Sequence, residues 1–536
     1  MREQSTTKGF AILSAANIVV KLLSLIYNPL LVRILVGDQA FGIYNVTYQI
    51  YVLIYVLTNT GIPSAISKLV SEFSAVQNFK AAIKTFKMSR SLLLVIGIVM
   101  AVIMFFISGP VTTFMKVPQA KLSVIALCPA IIFTSVASAY RGYFQGRGNM
   151  KPTAISQILE QIMNTVFSLG FAAILIKKSM ELGVVGATIG TTLGAMVSAT
   201  YLFITYERTS HIKHKTSDSE VKHKKYTNKQ IIRKIAKYGI PITISIGVMN
   251  AGTLADTTII VNRLMFAGDT QANAEAIFGA YAKYITLINV PIAIISALAV
   301  AVLPAVAKAI ALKDSNLAKR KITFAFKLCF LIAIPSAVGL SVLSRPIFLL
   351  LYSRYLNGYQ IMLYGSVVLV LMSFQQIQTS ILQGLGRLRI VTLYAIIGII
   401  VKVVTDYILV ANKNFNIYGA IIGSVLGFSV PIFLNHKYML KTLKQKINLS
   451  QYILRPFIAS VCMGVVAYII DVVLSYLLHF ASESRLVDDF STIIAIVIGG
   501  ITYSVVILLI KGVSKEEVDI LPGKIRRLIP VKFLQG

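Results

Sequence analysis

Residues 143–154 read YFQGRGNMKPTA, at the junction of two apolar runs, and the pattern returns more weakly at 381–392 as ILQGLGRLRIVT. Gln145, Gly146 and Gly148 correspond to Gln383, Gly384 and Gly386 at a single offset of 238 positions. Further out, VGATIG at 185–190 is echoed by YGAIIG at 418–423, and PLLVRIL at 29–35 more loosely by IIVNRLM at 259–265. A duplicated unit is therefore expected. Each copy holds six apolar runs, and six crossings return a chain to its starting side. The copies should then be parallel repeats related by an axis along a membrane normal, able to rock against each other around a central cavity.

Composition agrees with a bilayer as the solvent. Of 536 residues, 56% are hydrophobic and 13% charged, against roughly 25% charged in a soluble domain. At about 20 apolar residues per crossing, fourteen spans are expected, near 10–33, 42–67, 88–110, 121–140, 152–176, 183–206, 238–262, 278–306, 322–344, 360–384, 390–411, 416–436, 453–479 and 489–510. The first is retained, because no small-residue cleavage site follows it. The fold class is an all-α polytopic membrane protein: two parallel-repeated six-helix lobes plus two C-terminal transmembrane helices. The expected divisions are a lobe at 1–206, a basic cytoplasmic linker at 207–237, a second lobe at 238–440, accessory helices with their preceding loop at 441–510, and a basic tail at 511–536.

The net charge of +32 arises from 52 Lys and Arg against 20 Asp and Glu. With both termini cytoplasmic, inner segments hold 38 of the 52, outer loops hold 11, and Lys21, Lys327 and Lys402 fall within spans. That asymmetry follows the positive-inside rule. Because the cations lie between apolar runs, their expected partners are anionic membrane lipids and not nucleic acid. Cys128, Cys329 and Cys462 sit singly in apolar runs without metal-ligand spacing and read as packing residues.

Polar side chains inside spans need a partner, a cavity or a route to the interface. The first span carries Asn17, Lys21, Tyr27 and Asn28, with Asn17, Lys21 and Asn28 near one helical face. The seventh span carries Asn250, Asp256 and Asn262, and Lys283 lies early in the eighth. Lys21, Asp256 and Lys283 are candidate cavity residues, against the alternatives of a structural ion pair or an interfacial lysine. Lys402 and Asp406, at i and i+4, are expected to neutralise each other. Glu160 has no partner close in sequence, which leaves a proton or cation role open. Asp471 reads as a structural hydrogen-bonding group. Kinks or exposed carbonyls are expected at Pro63, Pro291, Pro304, Pro335 and Pro431.

No phosphate-binding loop, metal cluster or nucleophile-base set occurs, and GLGRLR at 384–389 lacks the strand-helix context of a dinucleotide site. A transporter or flippase without catalytic chemistry is expected, with no cofactor. Its energy would come from monovalent-cation or proton coupling, or from the membrane potential.

KGFAILSAANIVVKLLSLIYNPLLVRILVG at 8–37, GIPSAISKLVSE at 61–72 and, most specifically, AYRGYFQGRGNMKPTAISQILEQIMN at 139–164 resemble a known family. They are similar to the bacterial lipid-linked oligosaccharide flippases of the multidrug/oligosaccharidyl-lipid/polysaccharide exporter superfamily, in the branch holding stage V sporulation protein B and Gram-positive lipid II flippases. The resemblance implies a plasma-membrane protein that moves lipid II, an undecaprenyl-diphosphate-linked peptidoglycan precursor, from the inner to the outer leaflet by alternating access. It implies glycan polymerases or other cell-wall synthesis proteins as partners, in vegetative wall growth or spore cortex formation. It also implies that the two final helices form a hydrophobic groove for the polyprenyl tail. The alternatives are export of another polyprenyl-diphosphate-linked polysaccharide, cation-coupled drug export, a lipid-modifying membrane enzyme and a non-transporting envelope assembly protein.

Where the better-known Gram-negative flippases carry an Arg-Asp pair in the first span and an arginine in the second, this chain has Tyr27, Asn28 and Tyr55. The substrate-binding set implied here is therefore Lys21, Tyr27, Asn28, Tyr55, Asp256 and Lys283.

Overall fold

A computed structural model describes residues 6–213, 226–312, 314–353, 355–443, 449–479 and 485–513. Most of these residues are helical, with no strand among them. In order, the helices are α1 (Thr6–Ile34), α2 (Asp38–Asn59), α3 (Gly61–Ala75), α4 (Phe79–Phe114), α5 (Lys121–Gly146), α6 (Lys151–Leu175), α7 (Met180–Lys213), α8 (Asn228–Phe266) and α9 (Gln271–Ala311). They continue as α10 (Ser315–Val342), α11 (Ser344–Tyr352), α12 (Tyr359–Gly365), α13 (Val367–Gly384), α14 (Leu388–Leu409), α15 (Tyr418–Leu443), α16 (Ser450–His479) and α17 (Arg485–Leu509).

Among the described residues, thirteen segments are long and apolar enough to cross a bilayer, and α12 with α13, bent by 51°, makes a fourteenth when taken as one broken span. Helices suit this environment because their backbone hydrogen bonds are all internal. Pro29, Pro110, Pro129, Pro241, Pro335, Pro431 and Pro456 lie inside helices that continue through them, a placement that neighbouring helices make tolerable in a membrane.

The helices form two compact units, Met1–Ala282 and Lys283–Gly536. Within the first, α6 and α7 pack along much of their length, and α5 lies against α7. α8, expected to open the second lobe, packs on α2 and α3. A methyl at Gly61 would overlap the Gly239 carbonyl and the Thr243 hydroxyl, so the α3–α8 approach needs glycine. Within the second unit, α14 pairs with α15 and α16 with α17, and α10 packs on α13 and α16. Of the expected linker at 207–237, α7 takes residues up to Lys213 and α8 those from Asn228; 214–225 lie outside the described residues, as does most of the expected tail, 514–536.

The sequence echo has a structural basis in each unit. α5 ends with Gly148 at φ +69° and α13 with Gly386 at φ +74°, a left-handed conformation open to glycine. The capping bonds match. Gly148 N–H donates to Gln145 O and Asn149 N–H to Phe144 O, each at 2.9 Å; Gly386 donates to Gln383 O and Arg387 to Leu382 O, also at 2.9 Å. Both are the Schellman pattern.

The second echo is a stripe of glycines four residues apart. Gly186, Gly190 and Gly194 of α7 meet the α6 backbone at Phe171, Ser168 and Glu160, while Gly419, Gly423 and Gly427 of α15 meet α14 at Leu409, Asp406 and Lys402. Small residues allow this approach in a bilayer, where association rests on packing and hydrogen bonds. Substitution of Gly190 or Gly423 by leucine should cost about 2 kcal/mol or more, as overpacking against atoms that cannot retreat. Thermal unfolding of the purified protein in detergent measures this, with Gly170→Leu, where nothing stands within 4 Å, expected to match the parent.

Candidate functional site

In α2, Tyr44, Tyr48, Tyr51 and Tyr55 follow one another at spacings of four, three and four, which places them along one helix face. Their rings form a continuous ladder with successive centroids 5.9, 5.6 and 5.8 Å apart. Tyr27 of α1 joins one end. Its hydroxyl donates to that of Tyr44 at 3.2 Å, and the rings meet edge-on at 6.5 Å.

The other end reaches an ion pair. Arg141 of α5 is buried, and its Nη2 donates to Glu160 Oε2 of α6 at 2.6 Å and to Ser198 Oγ of α7 at 2.9 Å, while Nε donates to Ser156 Oγ at 3.0 Å. Tyr55 interacts with the guanidinium, and Tyr48 and Tyr51 lie within electrostatic reach of Glu160. A charge-assisted bond of this length is strong. Glu160 thus has the partner that its neighbours in sequence do not supply. Nearby, Ser138 of α5 donates to Asn59, whose amide donates to Thr134 Oγ1 at 3.3 Å. Along α6, Asn164 Oδ1 accepts from Ser168 and Thr191 at 2.8 and 3.2 Å.

Of the residues read from sequence, Tyr27 and Tyr55 occupy opposite ends of the ladder. Lys21 is exposed on α1 and has no hydrogen bond or ion pair among the described residues, while Asn28 is half-buried. Asp256 is half-buried on α8. Lys283 is wholly buried at the start of the second unit; its Nζ donates to Tyr355 O at 2.7 Å, with the Tyr352 and Phe348 rings at 5.1 and 5.4 Å. Lys402 and Asp406 pair at 2.6 Å, as their spacing requires. Asp471 accepts from Thr492 at 3.2 Å. Cys128 and Cys329 are buried and Cys462 is exposed.

Sequence reasoning missed Arg141. The fourth span was expected to end at residue 140, which put this cation in an inner loop. The helix runs on to Gly146 because Gly142 and Gly146 pack on the Pro63 and Ser67 carbonyls of α3 and nothing breaks it before Gly148. The uninterrupted run of buried Tyr140, Tyr143 and Phe144 was the available signal.

The second unit holds a cavity of about 410 Å³ between α10, α11, α16 and α17. Its walls are mainly aliphatic, including Pro335, Leu340, Ile347, Met463 and Ile496. Gly339, Gly499 and Gly500 keep it open, and no atom stands within 4 Å of where a methyl at Gly500 would lie. Tyr503 at the rim is tied to Leu331 O at 2.9 Å.

Two curated relatives from Bacillus subtilis (strain 168) align along nearly the whole chain. Stage V sporulation protein B is 25% identical over 97% of this chain and 98% of its own, and the lipid II flippase MurJ is 24% identical over 92% and 94%. A solved structure of lipid II flippase MurJ in an inward closed conformation has TM-score 0.68 at 16% identity, covering 92% of this chain and 98% of that one. The inward-facing structure of a multidrug resistance MATE family transporter of the MOP superfamily has TM-score 0.64 at 17% identity, over 81% and 100%. With these folds shared, and with residues 6–310 matching the family described as polysaccharide biosynthesis protein, the chain is a multi-pass membrane protein that belongs to that family.

Proposed function

We propose that the protein is a flippase for lipid II, carrying the undecaprenyl-diphosphate-linked precursor from the inner to the outer leaflet of a bacterial plasma membrane without making or breaking a bond. The observation that supports this reading most is whole-length similarity to both a lipid II flippase and stage V sporulation protein B. The chemistry of the two units is compatible with it. A diphosphate is costly to expose to hydrocarbon and needs cations and hydroxyls along its route; Lys21, Asn28, the tyrosine ladder and Arg141 offer them. A polyprenyl tail needs none, and the aliphatic cavity beside α16 and α17 suits it.

Both termini are assigned to the cytoplasm from the Lys and Arg asymmetry. Two negative charges moving outward across the full potential gain about 4.6 kcal/mol per 100 mV, inside negative, so membrane potential can drive the step, and a co-transported proton or monovalent cation would alter that figure. Export of another polyprenyl-diphosphate-linked saccharide is the second reading, supported by the breadth of the family's description.

Purified protein in liposomes should bring lipid II within reach of an impermeant headgroup reagent faster than other lipid-linked saccharides. A uniform rate across the saccharides would favour the second reading, and no protein-dependent rate would remove both. Lys21→Ala should lower transport per folded molecule, with Lys21→Arg retaining more; normal transport and binding by the alanine variant would exclude Lys21 from the route. Filling the cavity with Gly500→Phe should slow transport of long-chain substrate while sparing a short-chain analogue, measured in the same assay. For orientation, a cysteine placed within 207–237, in a background lacking native cysteines, should stay hidden from an external impermeant thiol reagent. One at Asp269 should react, and equal labelling of the two would contradict the topology.

A further inference from the structure

The internal repeat supplies a control for the ion pair. At the offset of 238, Arg141 and Glu160 correspond to Thr379 and Gly398. The crossing is otherwise the same: a methyl at Gly194 would stand 2.6 Å from the Glu160 carbonyl, and one at Gly427 would stand 3.1 Å from that of Gly398. The second unit therefore closes this helix pair with no charge at these two positions, its own ion pair, Lys402–Asp406, lying one turn on and within the single helix α14. Burying two charges carries a desolvation cost that a neutral pair of similar volume avoids. A charge pair that joins two helices, where the repeat places none between their counterparts, points to a ligand.

The position and surroundings say which ligand. Arg141 lies five residues before the end of α5, about 8 Å along the helix, on the side where Lys and Arg are concentrated. In the topology assigned above, this places Arg141 toward the inner end of its span, the end nearer the phosphates of lipids in the inner leaflet. The Glu160 side chain keeps 25% of its surface and that of Arg141 10%, so the pair is reached at its carboxylate. Besides the Glu160 carboxylate, hydroxyls of Ser156, Ser198 and Tyr55 stand around the guanidinium, and these donate to phosphate oxygens as readily as they accept from arginine.

We infer that Arg141 is the residue that first receives the diphosphate of the lipid-linked substrate, with Glu160 as a resident counter-ion that the incoming anion displaces. The inference rests on the flippase reading. Phosphate oxygens accept the guanidinium's fork in a two-bonded fashion, replacing the carboxylate. When the anion moves on, Glu160 recaptures Arg141 and restores the empty site. The counter-ion thus keeps affinity low enough for release, because each substrate must outcompete it.

The test uses the full-length purified protein with farnesyl diphosphate as the probe. Glu160→Gln should bind it about tenfold more tightly, since a charged competitor has been removed, and should turn over lipid-linked substrate more slowly. The neutral pair Arg141→Gln with Glu160→Gln leaves no unpaired charge, so it should unfold at the parent's temperature yet bind the probe at least about tenfold more weakly. Parental binding and transport by that double variant would overturn the inference and leave a structural ion pair. If the double variant does not fold, Glu160→Gln decides alone, and unchanged or weaker probe binding overturns the inference. A wild-type protein that binds the probe but moves no lipid-linked saccharide would instead defeat the flippase reading.

Discussion

The contact on which most else depends is the near-touch of helix backbones at glycine. Lipid tails are as apolar as leucine, so there is little hydrophobic gain in bringing two spans together, and close packing has to do the holding. Gly186, Gly190 and Gly194 let α7 lie on the backbone of α6, and Gly419, Gly423 and Gly427 do the same for α15 on α14. Side chains at such a crossing have nowhere to go but across to the partner or out to its edge. Asn164 and Ser168 therefore bond to α7, and Glu160 emerges beside Ser198 and Arg141. The same geometry in the second unit buries Asp406 against Gly423 and pairs it with Lys402.

The proposed function draws on a different chemistry in each unit. The first unit holds a largely buried row of phenol groups from Tyr27 to Tyr55 that ends at a charged pair. The second offers an aliphatic cavity without charge. The flippase reading assigns the charged head of the substrate to the chemistry of the first and the hydrocarbon tail to that of the second.

Much of this was legible in the sequence. Apolar run length gave the spans, because bilayer thickness imposes it. The QG-x-G echo marked the duplication, and only the structure shows that both copies are helix ends in which glycine enters the left-handed turn without strain. Lys402 and Asp406 were readable as a pair because i and i+4 meet on any helix. Arg141 and Glu160 were not, although both stand in the most distinctive segment. They are nineteen residues apart on different helices, and a cation near the end of an apolar run looks like the start of a loop. The approach of α8 to α2 and α3 was likewise hidden, because a glycine's sequence position does not say which helix will lie on it. Of the candidate residues on α1, Tyr27 proves to be part of the ladder, whereas Lys21 remains on an exposed face.

The central claim is that this chain relocates an intact lipid-linked saccharide. The most direct measurement recovers lipid II from both leaflets of sealed proteoliposomes after incubation and determines its mass and distribution. The account predicts protein-dependent movement to the opposite leaflet with the mass of the lipid unchanged. Redistribution no faster than in protein-free liposomes, or recovery of a cleaved polyprenyl phosphate, would contradict it.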